Sequence, residues 1–322
     1  MERTRPGLAA FALVWLGQTV SLLGSAMTWF ALTIWVFQVT GQATALALLG
    51  FFSFGPTLLI SPLAGALVDR WNRKRVMMIS DFTAGLATLA VLGLYSTGRL
   101  QVWHLYGVGL LAGSFQAFQY PAYAAAVTVM VPKEHYARAG GMLEVAYAAP
   151  SVLAPLLAGV LLGRIGISGI MTLDVVTFIL ALGTLVAVRI PQPPVSQEGQ
   201  QGRGSLWQES LYGFRYIKRS GLWGLQGLFC LGNLVEYTGF ILFTPMILAR
   251  TGNNELVLGS VQSAGALGGL IGGLALSVWG GGEAQDPWGV AGLGSFQSGH
   301  AGDGPWTQPA AVDSGQLLLY LL

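Results

Sequence analysis

Apolar residues along this chain come in runs of bilayer length, separated by short clusters of turn formers and charges. A helix that crosses the hydrocarbon core needs roughly 20 mostly apolar residues. Eight segments meet that requirement: 8–37, 43–67, 76–97, 103–130, 139–163, 168–188, 222–248 and 256–279. The gaps hold Thr40-Gly41-Gln42, Asp69–Arg75, Gly98-Arg99, Pro132–Arg138, Arg164–Gly169 and Arg250–Glu255. Only 191–221 is longer. Its Pro, Gln, Gly and Ser cannot bury a core, so it reads as a linker. Inside it, 206–219 alternates Trp207, Leu211, Phe214 and Tyr216 with Arg215, Lys218 and Arg219, the pattern of a short amphipathic piece on a membrane surface.

Lys and Arg orient such segments, because they are retained on the cytoplasmic side. With the N-terminus inside, 13 of the 16 basic residues fall in cytoplasmic segments, and only Arg99, Arg164 and Arg250 in outer loops. The expectation is a multi-pass protein of the cell (plasma) membrane with a cytoplasmic N-terminus and a cytoplasmic linker. Composition agrees: 53% hydrophobic and 9% charged residues, against about 25% charged in soluble domains. The 46 glycines suit helices packed closely in lipid. A net charge of +2 does not point to nucleic acid. Three histidines and the single Cys230 make neither a metal site nor a disulfide framework, and no cofactor is expected. The first apolar run outlasts the ~7–15-residue core of a signal peptide.

Between the second and third segments stands Gly65-Ala-Leu-Val-Asp69-Arg70-Trp-Asn-Arg73-Lys74-Arg75-Val76. Gly65 permits a close helix contact, Asp69 at a helix end can pair with a cation, and the basic cluster holds the loop at the headgroups. This resembles the signature loop of the major facilitator superfamily, with Asn72 where the pattern has Gly. Asn tolerates positive φ, so the turn is expected to survive. Further stretches are similar to the branch with macrolide-efflux and enterobactin-exporter proteins. These are Ser21–Ser25 with Thr40-Gly41, Tyr120-Pro121-Ala122, Val131-Pro132, Ala154–Gly159 and Gly169–Phe178. The resemblance implies an all-α membrane fold of the major facilitator type: a six-helix half over 1–190, the linker 191–221, and the first two helices of a second half over 222–279. It implies a latch between the halves made of Gly65, Asp69, Arg70, Arg73, Lys74, Arg75 and their acidic neighbour Asp81. Two departures stand out. The fifth segment has Ala149-Pro150 and Ala154-Pro155 where antiporters of the superfamily often have Gly-Pro, and the fourth lacks the arginine of many drug antiporters. Proton handling then falls to acidic groups.

Past Trp279 the character changes: 280–322 is rich in Gly, Ala, Gln, Pro and Trp and reads as an aberrant, disordered tail. The resemblance implies twelve spans in two similar halves, so four are expected to be missing and the 322-residue form to be inactive. A reading-frame shift is one expectation for the change, and a genuine disordered tail is the other. Read one nucleotide later, the codons of Glu283 and Gln285 before G become Lys or Arg, and that of Trp288 before Gly289 becomes Gly. A basic cluster then follows the eighth span, where the repeat of the signature loop requires one.

Ionisable groups at membrane depth mark function by default. Glu236 sits mid-way along the seventh segment, and Asn233, Glu236 and Tyr237 share one helical face. There a carboxyl group can bind and release protons or recognise a cation, or serve as a structural acid. Asp174 lies in the first two turns of the sixth segment, near the outer surface, where favouring a helix N-terminus competes with proton handling. Glu144 in the fifth lies within reach of headgroup water, so snorkelling competes with function. Gln18, Ser21, Ser25 and Thr28 in the first segment, and Gln116, Gln119, Tyr120 and Tyr123 in the fourth, recur at helical spacing. Such stripes face the bundle interior, lining a cavity or joining helices. Gly265, Gly269 and Gly273 on the eighth segment and Gly159 with Gly163 on the fifth form small-residue ridges, a seam that the resemblance places between the halves.

Together these features predict a secondary transporter, proton-coupled, exporting amphipathic drug-like or siderophore-like small molecules, with the bilayer as its other partner. A facilitator-type importer or uniporter is the first rival. A membrane-embedded lipid-modifying enzyme is the second, disfavoured because the only dense polar loop is Asp69–Arg75. Reporter fusions at Lys133 and Arg203 are expected to report one face, the cytoplasmic one. Opposite faces would refute the topology.

Overall fold

The computed structural model describes residues 7–191 and 223–279; the side chains of Ala66, Asp69, Leu225, 234–241 and 273–279 lie outside the description. The linker with its amphipathic piece and the segment 280–322 fall outside it as well. Every long element among the described residues is an α-helix. That follows from the solvent: in hydrocarbon each backbone N–H and C=O must find its partner within its own segment.

Helix α1 spans Gly7–Thr40, α2 Ala43–Arg70, α3 Arg73–Ser96 and α4 Val102–Met130. A single 3-10 turn, Lys133–His135, leads into a 52-residue helix, Tyr136–Ala187. That helix is broken at Gly166, whose φ of 64° and ψ of −177° only glycine adopts without strain. The break makes two passes, α5 (136–165) and α6 (167–187). Beyond the linker, α7 is Trp223–Arg250 and α8 Glu255–Trp279. The eight expected helices are therefore present. Gly7–Thr40, Ala43–Gly65, Arg73–Ser96 and the double pass within Lys133–Ala187 are long and apolar enough to cross a bilayer by composition alone. Helix α4, with 29 residues, dilutes its apolar positions with His104, Ser114, Gln116 and Gln119. At ~1.5 Å per residue it still exceeds a core of about 30 Å.

Residues 1–266 form one compact unit and 267–322 a second, whose described part is the last stretch of α8. In the first unit, two apolar clusters occupy opposite ends. One gathers Phe11 and Val14 of α1 with Met77, Ala122, Val127, Met130, Leu143 and Leu185, at the end that carries the α2–α3 loop. The other gathers Phe30, Ile34 and Val36 with Leu49, Val91, Leu105, Ile170 and Met171, at the end with the α1–α2 loop. Between them, on α1, lie the polar positions 18 to 25.

Apart from Gly159, close backbone approach among the described residues relies on glycines the sequence did not mark as packing positions. A Cβ on Gly17 would lie 2.5 Å from Thr184 Oγ1, and one on Gly24 would strike Thr177 and Asp174, so α1 rides directly on α6. Gly85 of α3 faces the Phe178 ring of α6, and Gly109 and Gly113 of α4 take Ser53 of α2. Thr57 adds a hydrogen bond from Oγ1 to the Gly113 carbonyl at 2.7 Å. Gly65, expected at a helix contact, has open space where a side chain would stand. The seam between α5 and α8 exists, but it joins Gly159, beside the Glu255 carbonyl, to Gly259, beside the Pro155 carbonyl. Gly163, Gly265 and Gly269 face open space, so the seam sits near the start of α8 rather than along the expected ridge.

A methyl group at Gly113 would overlap the Ser53 carbonyl, so Gly113→Ala is expected to cost about 1–3 kcal/mol. Gly163→Ala meets nothing and should stay within about 0.5 kcal/mol or stabilise slightly. Thermal unfolding in micelles, followed by circular dichroism, checks the contrast.

Candidate functional site

Helix α1 carries the polar positions that organise this half. One turn of helix brings Gln18 and Ser21 onto one face, and a second adds Ser25. Gln18 is 1% exposed and donates through Nε2 to Asp81 Oδ2 of α3 at 2.6 Å. Gln119 of α4 donates through Nε2 to Asp81 Oδ1 at 2.7 Å and to Gln18 Oε1 at 3.0 Å. Three helices thus meet on one buried carboxylate. A second rung repeats the device one step along the helices. Ser25 of α1 donates to Asp174 Oδ1 and Thr88 of α3 to Asp174 Oδ2, both at 2.9 Å. Ser25 follows Gln18 by the same interval as Thr88 follows Asp81. Two turns of helix, roughly 10 Å at 1.5 Å per residue, separate the rungs on both helices.

These rungs change two expectations. Asp81 stands two turns inside α3, buried among amides, and is not a neighbour of the signature loop. Asp174 does not cap a helix at the surface: it is 2% exposed, well inside α6, and joins α1 to α3. Gln18, Gln119 and Ser25 are therefore held by acids within the helix bundle. Ser21 is also buried, between the rungs.

A third group lies at the exposed edge of the same cluster. Tyr120 of α4 donates from its hydroxyl to Glu144 Oε1 of α5 at 3.2 Å. Its ring meets Tyr147 edge-on, with centroids 5.2 Å apart and planes at 68°. Glu144 and Tyr120 are exposed, whereas Tyr123, one turn along α4, is 1% exposed. Gln116 is exposed. Asn233 is exposed and donates to the Phe229 carbonyl of its own helix at 2.7 Å. The side chains of Glu236, Tyr237 and Asp69 lie outside the described residues. Thr88 and Tyr147 were not singled out by the sequence. Both fall on faces already marked, Thr88 two turns after Asp81 and Tyr147 one turn after Glu144, and that spacing was the available signal.

In the α2–α3 loop, Asn72 does not take a positive φ. At φ −72° it is the N-cap of α3, and its Oδ1 accepts the Arg75 N–H at 3.1 Å. Asn at the glycine position therefore has a job of its own. Arg73 donates from Nη1 to the Ala125 carbonyl of α4 at 2.8 Å. Lys74 Nζ reaches the Val186 and Val188 carbonyls at 3.1 and 2.8 Å, capping the end of α6 where the helix dipole favours a cation. Through these bonds Arg73 and Lys74 clamp helices of the first six. Arg75 is exposed, and Arg70 closes the α2 end of the loop.

The family model for the Major Facilitator Superfamily matches residues 14–290. This chain belongs to that superfamily. It is 27% identical over 301 residues to macrolide efflux protein A of Streptococcus pyogenes, covering 87% of this chain and 69% of that protein. It is 26% identical over 267 residues to the enterobactin exporter EntS of Salmonella typhimurium, covering 82% of this chain and 63% of the exporter. A crystal structure of a bacterial homologue of the human lysosomal transporter Spinster, inward-facing and unoccupied, has the same fold at a TM-score of 0.62. It shares 16% identity over 84% of this chain and 64% of that one. The family match extends past Trp279 into the segment expected to be aberrant. Within the superfamily's architecture, both rungs belong to the first six helices.

Gln18→Leu would leave Asp81 with one amide donor fewer. It is expected to cost about 1–3 kcal/mol, the penalty of a buried polar group losing its partner. Adding Asp81→Leu should restore part of that loss, because a pair replaced by apolar groups leaves no bare charge. A double-mutant cycle on unfolding in micelles measures the coupling.

Proposed function

We propose that this protein is a secondary transporter that exports amphipathic, cationic small molecules from the cell, driven by the proton gradient across the plasma membrane. Its membership of the major facilitator superfamily, with similarity to two exporters along most of its length, carries this reading. The chemistry of the Glu144 site supports it: an exposed carboxylate flanked by the rings of Tyr120 and Tyr147 suits a cation with an apolar body. Such molecules are the drug-like end of the substrates named in the relatives. The helices expected at the cavity wall are α1, α4, α5 and α7, the last bringing Glu236 as the proton-coupling acid. The N-terminus lies in the cytoplasm, as the distribution of Lys and Arg implies.

Vesicles with an imposed pH gradient test the reading. They contain the chain alone, or the chain continued by the C-terminal segment of macrolide efflux protein A that it does not match. Gradient-driven extrusion of a cationic amphipathic dye is expected in at least one form, and Glu236→Gln should uncouple it from the gradient. Dye that equilibrates regardless of the gradient would instead mark a facilitator. Coupling unchanged by Glu236→Gln would remove that residue from the mechanism.

A further inference from the structure

The two rungs hold their acids with different donors, and the difference decides what else each can bind. At Asp81 the atoms against the carboxylate are amide nitrogens, which offer protons and no lone pair. At Asp174 they are the hydroxyls of Ser25 and Thr88, each 2.9 Å from a carboxylate oxygen. A hydroxyl can turn, giving a proton to an acceptor or a lone pair to a cation. When Ser25 and Thr88 turn, acceptors for their protons are at hand in the carbonyls one helical turn back. Thr19, Thr33 and Thr83 already bond to such carbonyls in the same two helices.

Charge and packing point to the same rung. Asp174 is 2% exposed, and among the described residues no Lys, Arg or His pairs with it. A buried charge without a counter-ion is costly, and two hydroxyl bonds offset only part of that cost. Thr28 is 5% exposed, and its hydroxyl approaches the Asp174 carboxylate but falls short of hydrogen-bond geometry, leaving it buried without a partner. It stands one turn beyond Gly24, where an added Cβ would lie 3.2 Å from Asp174 Oδ1, so one face of α1 carries both to the carboxylate. Thr177 gives its proton to the Asp174 carbonyl at 2.8 Å and lies against α1 at Gly24. Three helices thus surround a single negative charge with hydroxyl oxygens.

We propose that the Asp174 rung binds a monovalent alkali cation, sodium, between the carboxylate and the hydroxyls of Ser25, Thr28 and Thr88. These are hard oxygen ligands, which suit such an ion rather than zinc or copper. One carboxylate balances one positive charge, whereas a divalent ion would bury a second charge with nothing to match it. Oxygens 2.9 Å apart can share an ion held at about 2.3–2.6 Å, the contact range of calcium, which sodium matches in radius. The close approach of α1 to Asp174 at Gly24 favours the smaller ion over potassium. Bound there, the ion draws α1, α3 and α6 onto one point and gives the Thr28 hydroxyl its partner. The site goes beyond the exporter reading and does not rest on it, because the binding needs no transported compound.

Equilibrium binding of radiolabelled sodium to the 322-residue chain in lipid nanodiscs, in choline chloride of constant ionic strength, provides the test. Saturable binding is expected, displaced by unlabelled sodium and much less readily by potassium. Asp174→Asn should abolish it. Thr28→Val removes an oxygen that makes no hydrogen bond, so its unfolding midpoint in choline should match the parent's. Its sodium affinity should fall roughly tenfold or more, the scale on which changes around a bound metal act. Thr33→Val, on the same helix but bonded only to the Trp29 carbonyl, should leave the affinity unchanged. A purely structural Thr28 would move the midpoint and not the affinity, and that result would overturn the proposal. So would the absence of saturable binding, binding that survives Asp174→Asn, or potassium displacing as well as sodium. If Asp174→Asn does not fold, the affinity of Thr28→Val alone decides the matter.

Discussion

A carboxylate at the depth of a hydrocarbon core costs several kcal/mol unless donors replace its water. That single requirement orders the first six helices. Asp81 and Asp174 each draw a side chain from α1 and one from another helix, so each acid is a three-helix joint. Lipid supplies no hydrophobic drive for helices to associate, and directional polar contacts with close backbone packing take over that role. The two joints fix α1 and α3 in register: a shift of either helix by one residue would part both acids from their donors at once.

The glycines make those joints geometrically possible. Gly17 and Gly24 bring α1 onto α6 on either side of the Gln18–Ser25 stretch, and Gly85 does the same for α3 against Phe178. Without such approach, a serine or threonine hydroxyl could not reach a carboxylate on the next helix. Apolar clusters at the two ends then seal the polar layer from headgroup water. Glu144 and Tyr120 are the members of the polar cluster that stay exposed.

The loop between α2 and α3 shows how one sequence signature can serve two purposes. Its spacing resembles a superfamily latch, yet Arg73 and Lys74 bond to carbonyls of α4 and to those at the end of α6. A cation on orphan carbonyls at a helix end stabilises that end by charge and hydrogen bond together. The clamp makes the six helices a firm unit, which is what a rocking half of a transporter requires.

From sequence alone, the number of helices, their approximate limits, the superfamily and the residues worth inspecting were all legible. Hydrocarbon thickness imposes a length, and the Asp69–Arg75 loop is specific enough to name a family. Gln18, Gln119, Ser25 and Asp174 were recognisable as polar groups needing an interior. Their partners were not. Periodicity places a residue on a helix face, but which helix that face meets depends on rotation and crossing, and those are decided by packing across the bundle. So the pairing of Asp81 with two glutamines, the work of Asn72 as a cap, the open space at Gly65 and the seam at Gly159 and Gly259 belonged to the tertiary structure, where residues far apart in the chain first come within reach.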